Sequence, residues 1–152
     1  MRPFEKWILG EAELKMISHI TWPVMFKNMG VLNSGKIPPE EINAYVDLLK
    51  REDQGKAFLK IMRNYDSSTE FRDLCYRAVQ NVNYPVQAIW GEKDPTLTYR
   101  TFGKEIKEVA GLKEISTLNS RHFLQEESWL AIADKIVDIA KSVHLKTSKK
   151  EA

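Results

Sequence analysis

Apolar residues in the first half of the chain recur mostly at helical spacing. Ile8, Leu9, Ala12, Met16, Ile17 and Ile20 predict a helix over Glu5–Ile20, broken at Thr21-Trp22-Pro23. Asn33 to Pro39 has the chemistry of a loop, and Pro39-Glu40-Glu41 opens the next helix with proline in the first turn. Ile42, Tyr45, Val46 and Leu49 form the buried stripe expected of that helix. Phe58, Leu59 and Met62 mark a further short helix around Gly55 to Tyr65. Ser67 and Glu70 stand at capping-box spacing before a helix that carries Phe71, Leu74, Cys75 and Ala78 on its expected core face.

Beyond Asn83-Tyr84-Pro85 the period changes. Val86 to Trp90 is a short, nearly continuous apolar run stopped by Gly91, the pattern of a buried strand. Tyr99 to Ala110 reads as a helix with Phe102, Ile106 and Val109 on one face and Gly111 as the residue that closes it. Lys113 to Leu118 reads as a second strand. Ser128 is placed to cap a long helix with Leu130, Ile132, Ala133, Ile136, Val137 and Ile139 inward. The expected fold is therefore α/β: helices over residues 1–84, then a right-handed βαβα unit over 85–143 with a two-stranded parallel sheet, then a frayed tail from 144 to 152. Two parallel strands are not stable alone, so helices of the first half or strands from elsewhere must cover them.

Composition narrows the partners. The chain has 152 residues, 23 basic against 21 acidic, a net charge of +2, which argues against nucleic acid. A single cysteine, Cys75, excludes an internal disulfide and a multi-cysteine zinc site, and His19, His122 and His144 lack metal-ligand spacing. No metal and no cofactor is expected. No apolar run reaches the roughly 18 residues that span a bilayer, and Met1 to Lys6 is no secretory signal. The expectation is a cytoplasmic protein with no membrane partner.

Two residues stand where chemistry is done in α/β proteins. Asp94, in Gly91-Glu92-Lys93-Asp94-Pro95, follows the first strand directly, so its carboxylate lies beyond the strand's C-terminal end. The plain alternative is an aspartate that only stabilises a turn. His122 lies in the polar loop Asn119 to Glu127 after the second strand, on the same sheet edge. Alone it could simply be solvated. One βαβ step separates the two, so adjacent parallel strands can bring imidazole and carboxylate together as the base and orienting acid of a triad.

Pro85-Val86-Gln87-Ala88-Ile89-Trp90-Gly91-Glu92-Lys93-Asp94-Pro95 followed by Arg121-His122-Phe123-Leu124-Gln125-Glu126-Glu127 resembles the C-terminal part of α/β-hydrolase-fold enzymes, in the haloalkane dehalogenase and epoxide hydrolase-like branch. Arg2-Pro3-Phe4, Trp22-Pro23 and Tyr45 through Arg63 resemble that branch's helical cap, so the likeness runs over about residues 1 to 142. It implies an incomplete hydrolase fold, cap plus last two strands, with Asp94 as triad acid and His122 as the base that activates water against a covalent intermediate. The implied substrate is a small apolar ester, epoxide or haloalkane in a pocket shaped by the cap.

The chain departs from the family at one essential point. A nucleophile elbow needs Gly-x-Ser/Asp-x-Gly, and no two glycines here are four apart. No histidine is followed by glycine, so the oxyanion loop is missing too. In the family both precede the cap. The expectation is thus a C-terminal portion that is inactive alone and is completed by an N-terminal half. The alternative is a non-catalytic interaction or ligand-binding module. The open edge of the first strand invites a homodimer. Trp22, Phe26 and Phe123 are the pocket candidates. Any of Trp7, Trp22, Trp90 and Trp129 could offer an indole N–H to a halide or simply pack.

Overall fold

In a computed structural model, which describes residues 2–80 and 82–148, the chain forms two compact units. The first comprises the residues up to Asn28 with Asn33–Ser68. The second comprises Met29–Leu32 with the chain from Thr69 onward. The hydrophobic period changes at Pro85, yet the units divide at Ser68–Thr69, so the helix before the first strand groups with the sheet.

The first unit is helical: α1 (Trp7–Met16), α2 (Thr21–Met25), which passes into a π-turn (Phe26–Gly30) whose last two residues belong to the second unit, α3 (Pro39–Lys50) and α4 (Lys56–Arg63). Leu14, Phe26, Ile37, Ile42, Val46 and Leu59 are its buried apolar residues. The stripe expected on α3 is buried at Ile42 and Val46, with Tyr45 and Leu49 half-buried. On α1 the expectation needs correction. Gly10 and Leu14 form the buried face, while Ile8 and Ile20 are 82% and 81% exposed. Close approach of the chain at Phe4 selects the Gly10 side, so the bulkier apolar positions are turned outward. Arg63 joins α4 to α1 by donating to the Trp7 carbonyl and the Glu11 carboxylate at 3.2 and 3.1 Å, its guanidinium over the Trp7 ring.

The second unit runs α5 (Thr69–Val79), β1 (Ile89–Gly91), a π-turn (Tyr99–Gly103) leading into α6 (Lys104–Val109), β2 (Ser116–Leu118) and α7 (Leu124–Ser148). The strands are parallel, with Ile89, Trp90 and Gly91 opposite Ser116, Thr117 and Leu118. Each is three residues long, shorter than the apolar runs that predict them. Mostly helical with a two-strand parallel sheet, the chain is a mixed α/β protein.

Local signals explain the ends of these elements. Gly111 takes φ +61°, and the Gly111 and Leu112 amides donate to Glu108 and Lys107 carbonyls, the double closure of a Schellman motif. Ser128 stands at a boundary, as expected: its φ of −126° is non-helical and separates the short turn Leu124–Glu127 from the long helix that follows within α7, while its hydroxyl meets Ser120 Oγ at 2.6 Å. The Ser67 side chain makes no hydrogen bond among the described residues; the carboxylate of Asp66 takes the Ser68 amide instead. Cys75 is exposed, and so are Phe71 and Leu74, so the face of α5 expected in the core is outward. The tail expected from 144 is helical as far as Ser148, and residues 149–152 lie outside the described residues.

Candidate active site

The site is built at the C-terminal ends of β1 and β2. The backbone leaves β1 through a turn closed by the Asp94 amide on the Gly91 carbonyl at 3.1 Å. The Glu92 and Lys93 amides donate to the Leu118 and Ser120 carbonyls at 3.0 and 3.1 Å, so main chain binds the two loops together just past the sheet. Gly91 is required here, since a Cβ would fall 2.2 Å from the Arg121 oxygen.

Asp94 is buried, and its carboxylate is fully engaged. Oδ1 accepts from the Thr96 amide and hydroxyl, both at 2.8 Å, and from the Leu97 amide at 3.0 Å. Oδ2 meets Nδ1 of His122 at 2.9 Å. Burial pushes the Asp94 carboxyl up, but hydrogen bonds from Leu97, His122 and Thr96 outweigh it and leave it below its ordinary value. Asp94 is therefore a carboxylate at neutral pH and can only accept. The Thr96 proton is given to Oδ1, so Thr96 Oγ1, 3.0 Å from Nδ1, can only accept from the ring as well. Both neighbours require the proton on Nδ1, which leaves the Nε2 lone pair available. Nε2 has no hydrogen-bond partner among the described residues, and the imidazole is 38% exposed.

Three residues from the first half of the sequence brace the His122 loop. The Phe123 amide donates to Gly30 O at 2.9 Å, and Arg121 Nη1 to Val31 O at 3.3 Å. The Leu32 amide donates to Glu127 Oε1 at 2.8 Å, and Val31 is wholly buried. Nothing in the hydrophobic pattern marks residues 29–32 as part of the sheet unit. Thr96 is also absent from the sequence-derived candidates, although Asp-Pro-Thr is a spacing at which a side chain caps the amide two residues on.

The other candidates separate. Phe123 stands edge-on to the His122 ring at 5.2 Å between centroids. Trp22 and Phe26 belong to the helical unit, where both stack against Tyr45. Trp22 lines an apolar groove there, whereas Phe26 lies behind it, 1% exposed, and is a core residue rather than a lining one. Trp90 donates its indole N–H to Leu97 O at 2.8 Å, tying the Asp94 turn to β1, so that N–H is not offered to a ligand. Trp7 and Trp129 are exposed. Among the described residues no group of three His, Cys, Asp or Glu side chains could hold a metal ion, and no helix is long and apolar enough to cross a membrane.

An oriented, solvent-accessible imidazole backed by a buried carboxylate can take a proton from water or a hydroxyl and stabilise the resulting imidazolium. Comparison with protein-family models, curated proteins and solved structures returns no match for this chain.

Proposed function

We propose that the chain is the acid- and base-bearing C-terminal portion of an α/β-fold hydrolase, acting on a small apolar ester, epoxide or organohalide. The observation that carries this reading is the 2.9 Å Asp94–His122 contact at the ends of adjacent parallel strands, with Nε2 left open. A partner segment bearing the Gly-x-Ser/Asp-x-Gly elbow supplies the nucleophile. His122 Nε2 removes a proton from water, the hydroxide oxygen bonds to the carbonyl carbon of the ester that links substrate and nucleophile, the single C–O bond of that ester breaks, and the imidazolium returns the proton to the departing oxygen. Asp94 remains ionised and balances the charge on the ring.

The test is to express the chain joined to the coding sequence immediately upstream. Hydrolysis of a p-nitrophenyl ester, a styrene oxide or a bromoalkane should appear, and His122→Ala should lower it about 10²–10⁴-fold. Absence of an elbow upstream, equal rates in His122→Ala, or His122-dependent turnover by the isolated chain would each overturn the proposal. A second reading, a ligand-binding module derived from such an enzyme, is favoured by the groove at Trp22. It requires binding that Asp94 and His122 substitutions leave unchanged.

A further inference from the structure

The helical unit contains a groove of about 670 Å³, within the size range of small-molecule sites. Its walls are Phe4, Phe58, Trp22, Tyr45, Leu49 and Ile17, with Met16 and Met25 exposed at its margin. Trp22 and Tyr45 lie 5.7 Å apart, tilted by 37°, and Phe58 meets Phe4 edge-on at 5.2 Å. Two aromatic pairs thus contribute to one depression, and ring faces carry negative charge density. Methionine side chains can adjust to an occupant's shape.

One charged side chain lines this groove among the described residues, and it is acidic. Glu13, half-buried on α1, makes no ion pair or hydrogen bond through its carboxylate among the described residues. Among the described side chains no basic residue lines the groove. Arg63 pairs with Glu11, and His19 contacts Asp47 at 2.7 Å. Aromatic rings and one carboxylate with no partner among the described residues, set in an apolar surface, complement a cation that also carries apolar bulk. An anion would meet repulsion from both, and a neutral ligand would leave Glu13 unanswered.

We propose that this groove binds a small organic cation, an ammonium group attached to an aromatic or alkyl body. The body lies among Phe4, Phe58 and Leu49, and the cationic head lies between Glu13 and the Trp22 and Tyr45 rings. This site does not depend on the hydrolase reading, because it needs neither Asp94 nor His122.

The experiment uses the full chain and a charge series of matched size: benzyltrimethylammonium, benzyl alcohol and phenylacetate, titrated with detection by amide and indole NMR shifts. The expected order is cation first, alcohol about tenfold weaker and phenylacetate weakest, with shifts centred on Trp22, Tyr45 and Glu13. Glu13→Gln should weaken the cation about tenfold and change the alcohol less than twofold, with the fold checked by circular dichroism. Raising the salt should weaken only the cation. Equal affinity for cation and alcohol, an unchanged cation affinity in Glu13→Gln, shifts centred elsewhere, or no saturable binding would each overturn the proposal. Hydrolysis by the joined polypeptide would bear on the dyad alone.

Discussion

The backbone of Gly91 lies against that of Arg121 so closely that no side chain fits between them: a Cβ at Gly91 would stand 2.2 Å from the Arg121 oxygen and 2.8 Å from the Ser120 oxygen. This contact sets the His122 loop directly on the end of β1. Gly91→Ala must push the loop away. The expected cost is about 1–3 kcal/mol of stability, as for other overpacked sites. Urea denaturation measures it, and the His122 ring resonances should move at the same time. A variant as stable as the parent with unmoved resonances would show that the loop is not held there.

Thr96 bridges the dyad, since its hydroxyl donates to Asp94 and accepts from the side of His122 that faces the acid. Thr96→Val removes a donor from the carboxylate, so the Asp94 carboxyl should titrate at a higher pH, while Thr96→Ser should restore the parent value. Carbon NMR of the Asp94 carboxyl reads this directly. Nitrogen shifts of the His122 ring should report a proton on Nδ1 in the parent and a more mixed tautomer in Thr96→Val.

Asp94 also links stability to pH. Its carboxyl titrates below the ordinary 3.8 when folded, so its contribution is fully present above the unfolded value. That contribution is lost as pH falls from about 4 through the depressed folded value. The parent should therefore exceed Asp94→Asn in stability at pH 6, and the gap should narrow as the pH is lowered from 4 towards 2. Guanidinium melts at stepped pH give the comparison. A gap independent of pH would deny the linkage.

Gly111 isolates a backbone effect. A Cβ there meets nothing within 4 Å, yet φ is +61°. Gly111→Ala should cost about 1 kcal/mol through conformation alone, and Gly111→Asn less, because asparagine tolerates the left-handed region. Equal stability of all three would place the closure of α6 elsewhere.

Self-association is a further expectation. Trp129, Leu130, Ile136 and Val137 on α7 are exposed, and β1 is paired with β2 alone among the described residues. Sedimentation of the parent should show association that grows with concentration, and Leu130→Glu with Ile136→Lys should reduce it. A parent that stays monomeric at high concentration would contradict this.

The α/β alternation after Pro85 is legible because a continuous apolar run, a glycine stop and a helical stripe are local signals. The meeting of Asp94 and His122 is legible for a different reason: a parallel crossover leaves the C-terminal ends of successive strands side by side. What escapes is set by tertiary choice. Nothing near Ile8, Leu74 or Ile136 in the sequence says which of two faces a helix will bury: α1 and α5 leave outward the residues a periodicity count assigns inward, and so does α7 at Leu130, Ala133, Ile136 and Val137. The bracing of the His122 loop by Gly30 and Val31 depends on contacts between residues some ninety positions apart, which no local pattern encodes.

The amides of Glu92 and Lys93, bound to the carbonyls of Leu118 and Ser120, have a consequence for how this sequence can change. The stitches that hold the acid loop to the base loop belong to the main chain, which every amino acid except proline supplies in full. Residues 92, 93 and 119 can therefore drift in size and charge while the carboxylate and the imidazole keep their separation. Variation at the rim of the site and constancy at its centre are, in this architecture, compatible by construction.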